Sequence, residues 1–157
     1  AIRLAPSKVD SAGGPQHGAA VAVRNHVGHA MLPNQQDWEL WPHKAVGMSI
    51  SAGFKGGLGM ISVYFDGNEG MGGDNGPMCA ALQKIQVSLQ MPYIAGLDGN
   101  GSRQAVADSG WPSACNATIV APSEATSIQS PDGNVIDMFL VSDALAEGMA
   151  RRFVHEQ

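Results

Sequence analysis

Apolar residues along this chain come in short runs broken by Gly, Pro and Asn, the pattern of buried strands rather than of long helices. Residues 18–23 (Gly-Ala-Ala-Val-Ala-Val), 45–50 (Ala-Val-Gly-Met-Ser-Ile) and 60–65 (Met-Ile-Ser-Val-Tyr-Phe) each read as a strand. The Lys55-Gly56-Gly57 turn joins the second and third as a hairpin. Beyond the polar stretch 66–76 the period changes. Pro77 opens a helix in which Met78, Leu82, Ile85 and Leu89 recur at helical spacing, and Met91-Pro92 closes it. Strands are expected at 93–95, 117–120 and 135–141, with brief helices around 104–108 and over 143–150. The Ser130-Pro131-Asp132-Gly133-Asn134 turn leads from a short segment near Thr126 into the strongest strand. No repeat, low-complexity tract or second domain interrupts the pattern, so residues 1–157 are expected to form a single domain.

Two runs carry candidate chemistry. Ile94-Ala95-Gly96-Leu97 breaks into Asp98-Gly99-Asn100, which places a carboxylate and an amide two residues apart at a strand end. Such a pair can face a substrate, and it can also simply close a turn by bonding backbone amides. Asp137 lies among Val135, Ile136, Met138 and Phe139, where an acid costs free energy unless it is partnered.

Composition narrows the classes. At 157 residues and 44% hydrophobic the chain can bury a core, and 20 glycines with 9 prolines make it loop-rich. A net charge of −5 with no basic stripe argues mildly against charge-driven nucleic-acid binding, although a divalent metal can restore local positive potential. Cys79 and Cys115 lack the spacing of a zinc site or a disulfide framework, and read as two free thiols of a reduced compartment. No apolar stretch is long enough to span a bilayer, and Ala1 to Pro6 lack the shape of a signal peptide. Opening on Ala1 rather than Met is read as the mark of a processed product, an excised fragment or the ordered part of something larger.

Other motifs fail on inspection. Asp66-Gly67-Asn68-Glu69-Gly70 begins like a calcium loop, but Met71 and Pro77 stand where its Gly and Glu belong, which leaves an acidic surface loop. Glycines 53, 56, 57 and 59 form neither a dinucleotide fingerprint nor a phosphate loop. His26 and His29 flank Gly28 without a third ligand and read as surface residues, and there is no nucleophile elbow.

Taken in order, Ile61-Ser62-Val63-Tyr64, then Pro92 to Asn100, then Thr126 followed by Val135 to Ser142 resemble the endonuclease/exonuclease/phosphatase family, the deoxyribonuclease I-like phosphodiesterases. Residues 14–23 resemble that family's strand after its metal-ligand motif, and the helix at 77–90 falls where the family has one. The overall flavour is similar to the nuclease domains of mobile retroelements. The resemblance implies a two-sheet α/β sandwich of mostly antiparallel strands, incomplete at both ends. It implies that Asp98 activates or orients the attacking water, that Asn100 helps hold the scissile phosphate, and that Tyr64 stands near that phosphate. Asp137 would orient a catalytic histidine. Mg²⁺ would be the family's cofactor, and nucleic acid or another phosphodiester its substrate.

The departures from the family are specific. No glutamate precedes Glu39, so the family's metal-binding glutamate has no counterpart, and the terminal Asp-His pair is missing, with His155 close behind the last short helix. Leu97 and Gly99 replace the residues that usually flank the acid. Two hypotheses follow. The chain is a fragment of a metal-dependent phosphodiesterase, inactive as it stands, or it is a non-catalytic structural or interaction subunit that has kept the fold and needs a protein partner in a larger assembly. Of the sequons Asn100-Gly101-Ser102 and Asn116-Ala117-Thr118, the first would carry a glycan across the site, which favours an intracellular location.

Overall fold

A computed structural model describes residues 1–5, 8–9, 15–16, 18–32, 41, 43–67, 69–127 and 135–147. Its centre is a six-stranded sheet in the order β5-β6-β7-β8-β10-β9, comprising β5 (His29–Ala30), β6 (Ala45–Ile50), β7 (Leu58–Tyr64), β8 (Tyr93–Asp98), β9 (Ala117–Val120) and β10 (Asp137–Ser142). All neighbours are antiparallel except β7 and β8. That parallel pair needs a crossover, and α1 (Asn75–Ser88) supplies it. Two antiparallel pairs complete the strands: β1 (Ile2–Ala5) with β4 (Ala19–Ala22), and β2 (Lys8–Val9) with β3 (Pro15–Gln16).

Alternation along the strands sends two sets of side chains to opposite faces. Ile61, Val63, Ala95, Leu97, Met138 and Leu140 turn to one face and pack with Met78, Leu82 and Ile85 of α1, with Val106 of α2 (Arg103–Asp108) and with Trp111 of α3 (Trp111–Ala114). Phe65, fully buried, sets its ring 5.7 Å from that of Trp111. On the other face Val46 and Met48 pack beneath Ala19 and Val21 of β4. The layers are therefore helices, the six-stranded sheet, and the β1–β4 pair lying over β6 and β7. Leu145, in the helical turn at 143–147, closes one end of this second face with Leu58 and Val141.

Local chemistry explains the boundaries. The β6–β7 hairpin turns through Gly53, Gly56 and Gly57, all at positive φ, and a methyl on Gly57 would come within 2.8 Å of the Ile50 carbonyl oxygen. The helix begins two residues before Pro77, whose missing N–H is harmless in a first turn. Leu89 leaves it in extended conformation, ahead of Pro92. Strand β8 runs on to Asp98, further than its apolar core implies, and β10 starts at Asp137 rather than at Val135. α3 is an element that the periodicity does not announce. His155, the 130–134 turn and residues 148–150 lie outside the described residues. Among those described, no helix is long and apolar enough to cross a membrane.

Candidate active site

Strands β7 and β8 run parallel and end together, while the antiparallel β10 begins at the same rim. Register then sets Tyr64 opposite Asp98 and Asp98 opposite Asp137. Directly paired residues share a face, so a phenol and two carboxylates stand in one row across three adjacent strands. Asn100 lies just past the row in left-handed conformation, with φ of 42°. Its Nδ2 donates to the Phe65 carbonyl at 2.7 Å, and its side chain also hydrogen-bonds Tyr64. The four residues singled out from the sequence, Tyr64, Asp98, Asn100 and Asp137, are thus brought together, although 73 positions separate the first from the last.

The two acids differ in setting. Asp98 is half-buried and its carboxylate accepts from the Asn100 backbone N–H, the turn-closing bond that such a pair makes without any ligand. Its Oδ1 is buried and has no hydrogen-bond partner among the described residues. Burial pushes its pKa above the usual carboxylate range, the Asn100 bond opposes this, and the charge on Asp137 adds to it. Asp137 is exposed, which corrects the expectation of an acid enclosed by apolar neighbours: as the first residue of β10 it projects from the rim. The backbone N–H groups of Ile136 and Asp137 both donate to Thr126 Oγ1, each at 3.0 Å, which fixes where the strand starts. Burial, reinforced by the charge on Asp98, raises the Tyr64 phenol, while the Asn100 hydrogen bond lowers it.

These groups border a cleft of about 630 Å³ that includes Thr126 and has Gly96 and Phe139 in its floor. That volume is in the range of small-ligand sites, and the floor is apolar while the rim is polar. The Phe139 ring lies against Gly96, where a methyl would be 3.6 Å from its Cε1.

Sequence reasoning passed over several groups at this rim. Lys44 accepts the Tyr64 N–H on its carbonyl at 2.7 Å, and its ammonium lies 3.8 Å from Glu69 Oε2. Asn75 is fully buried and bonded to the loop that follows β7. Neither has a sequence signal, since each is defined by what the loop brings to it. His26 and His29 are exposed, and Cys79 and Cys115 are buried and free.

Among the described residues no three His, Cys, Asp or Glu side chains converge on one point. Mg²⁺ is usually held by one or two carboxylates with waters and substrate phosphates rather than by an all-protein cage.

The solved endonuclease domain of TRAS1, a telomere-specific non-LTR retrotransposon, superimposes with a TM-score of 0.65 over 91% of this chain and 66% of its own length, at 12% identity. The Haemophilus ducreyi cytolethal distending toxin aligns over 88% of this chain and 52% of its own, with a TM-score of 0.49 and 17% identity. The chain thus spans about two thirds of the length of the retrotransposon domain. No family model matches the sequence, and no curated protein gives a significant match. The chain has the deoxyribonuclease I-like fold.

Proposed function

We propose that this chain forms the water- and phosphate-handling part of a metal-dependent phosphodiesterase or endonuclease-like domain, and that these residues alone do not sustain turnover. The observation that carries the reading is the row Tyr64, Asp98, Asp137, with the Asp98 Oδ1 buried and without a partner at the edge of a cleft. A buried acceptor of this kind costs free energy unless something donates to it, and a water or substrate hydroxyl would do so. The half-buried Asp98, less acidic than a free carboxylate, is suited to orient and accept a proton from an attacking water. Asn100, whose Nδ2 is engaged with the Phe65 carbonyl and with Tyr64, would help hold the phosphate by fixing the Tyr64 hydroxyl as its donor, and Asp137 would orient a histidine supplied from outside the described residues. A divalent ion bound at this rim together with the substrate would supply neutralisation of the charge developing on the phosphate. The substrate on this reading is nucleic acid or a related phosphodiester.

The test is nicking of supercoiled plasmid with and without Mg²⁺ by the 157-residue chain and by a longer protein in which it is embedded. Metal-dependent nicking by the longer protein, lost in Asp98→Ala, supports the reading. Undiminished nicking by that variant would sink it.

One observation favours a second reading, that of a non-catalytic subunit which uses the fold to bind a protein. Phe139 and Val120, paired across β10 and β9, are 52% and 50% exposed on the sheet face beyond the cover of β4. Large apolar groups side by side on a sheet mark an interaction surface. Recovery of the chain as a monomer at high concentration, with no subunit associated in its native extract, counts against this reading.

A further inference from the structure

Asn75 is an amide with no exposed surface, at the start of a helix, and it does not cap that helix. Its side chain reaches backward to the loop after β7. Oδ1 accepts the Asp66 N–H at 3.0 Å, and Nδ2 donates to the Asp66 carbonyl at 2.9 Å and to the Gly70 carbonyl at 2.7 Å. Both amide hydrogens are used, so a buried polar group that would otherwise be costly is satisfied by one short piece of backbone.

The Asp66 N–H belongs to the same planar peptide as the Phe65 carbonyl. That carbonyl is the acceptor for Asn100 Nδ2 at 2.7 Å. One peptide plane is therefore held at its N–H by Asn75 and at its C=O by Asn100, and rotating it would break both bonds. The Phe65 N–H in turn donates to the Asp98 carbonyl at 2.9 Å, which ties this strand end to the acid. Gly67 completes the contact. A methyl there would come within 3.2 Å of Asn100 Cβ, so the loop that Asn75 clamps lies directly against Asn100.

We infer that Asn75, outside the cleft, is a positioning residue for the site: by fixing the Phe65–Asp66 peptide it sets the orientation of the Asn100 amide toward Tyr64, and through Tyr64 toward the phosphate of the proposed function. The role in catalysis rests on the phosphodiesterase reading above, whereas the positioning itself does not. A residue that merely stabilised the loop would change the melting temperature and leave Asn100 as it was. A positioning residue also changes Asn100.

The experiment measures three things in wild type, Asn75→Ala and Gly67→Ala: side-chain amide hydrogen exchange of Asn100 by NMR, the ultraviolet titration of the Tyr64 phenol, and metal-dependent plasmid nicking by the longer protein. In either variant the Asn100 amide should exchange at least tenfold faster, and Tyr64 should titrate higher as it loses that hydrogen bond. Where the wild type nicks, kcat should fall at least tenfold with KM within twofold. A folded Asn75→Ala protein with unchanged Asn100 exchange overturns the inference. If Asn75→Ala does not fold, unchanged exchange in Gly67→Ala overturns it instead. Absence of nicking by wild type removes the phosphodiesterase reading alone, because the exchange and titration still decide whether Asn75 positions Asn100.

Discussion

Asp98 and Asp137 are direct partners across β8 and β10, so two carboxylates stand side by side on one face of the sheet, one half-buried and the other exposed. Opposed like charges in a sheet are destabilising, and the half-buried member bears most of the cost because water screens it least. The sheet keeps an arrangement that packing alone would not select. Such a cost is a common sign of a functional rim.

Its pH dependence has a definite sign. The folded state holds the Asp98 proton more tightly than the unfolded chain does. The contribution is therefore most favourable below the ordinary carboxylate range, and it is lost as pH rises through the elevated value of the folded state. Asp98→Asn removes the charge and should flatten this dependence. It should raise the melting temperature near neutral pH, by an amount that solvent screening at this partly exposed carboxylate keeps small. Calorimetry of both proteins at acid and neutral pH reads this directly, and nicking by the longer protein should be lost in the same variant. A variant that melts lower at neutral pH would show that the Asn100 N–H bond stabilises the charged Asp98 by more than its burial costs.

Asn100 is a non-glycine residue at φ 42° that also holds the Phe65 carbonyl. Its two truncations should therefore separate strain from bonding. Asn100→Gly loses the bond and adopts the backbone freely, whereas Asn100→Ala loses the bond and adds the Cβ penalty of the left-handed region. Urea denaturation should find the Ala variant less stable than the Gly variant by about 1 kcal/mol, with both below wild type. Equal stabilities would mean that the turn relaxes once its amide is gone.

Much of the fold was legible because it depends on period. The run 45–50 is strand β6 to the residue, and Met78, Leu82 and Ile85 form the buried stripe of α1 that their spacing implies. The acid and amide of the candidate site could be named because they interrupt apolar runs. What the sequence could not show was adjacency. Nothing in the order of residues states that Tyr64 and Asp137 flank Asp98, because register is fixed by pairing between distant strands. The exposure of Asp137 is hidden from the sequence for the same reason: its neighbours are apolar in sequence, but the strand begins on it and leaves it at the rim. Asn75 is invisible at that level, since a buried amide before Gly-Pro looks like any other turn residue until the loop folds back on it.

The two thiols should be silent in the folded protein. Burial pushes both Cys79 and Cys115 up to about 12, and Cys115 donates to Gln86 Oε1 at 2.9 Å. Thiolate, the reactive form, is then scarce at pH 8. An aromatic disulfide reagent should label neither cysteine under native conditions and both in guanidinium. Rapid labelling of the native protein would mean that α1 and α3 open readily.

Phe139 separates the two functional readings. Its ring lies on Gly96 in the cleft floor but is about half exposed, so replacing it removes little buried area. Phe139→Ser should alter stability by only about 0.5 kcal/mol, as surface substitutions do. If the open sheet face binds a protein, the same change removes an anchor of the kind that dominates interfaces, and affinity should fall by at least tenfold. Sedimentation velocity or co-purification from the native source measures this, while plasmid nicking by the longer protein measures the alternative. Loss of association with nicking intact assigns Phe139 to a partner. Loss of nicking with association intact assigns it to the cleft, where the ring would form part of the wall against which the phosphodiester lies.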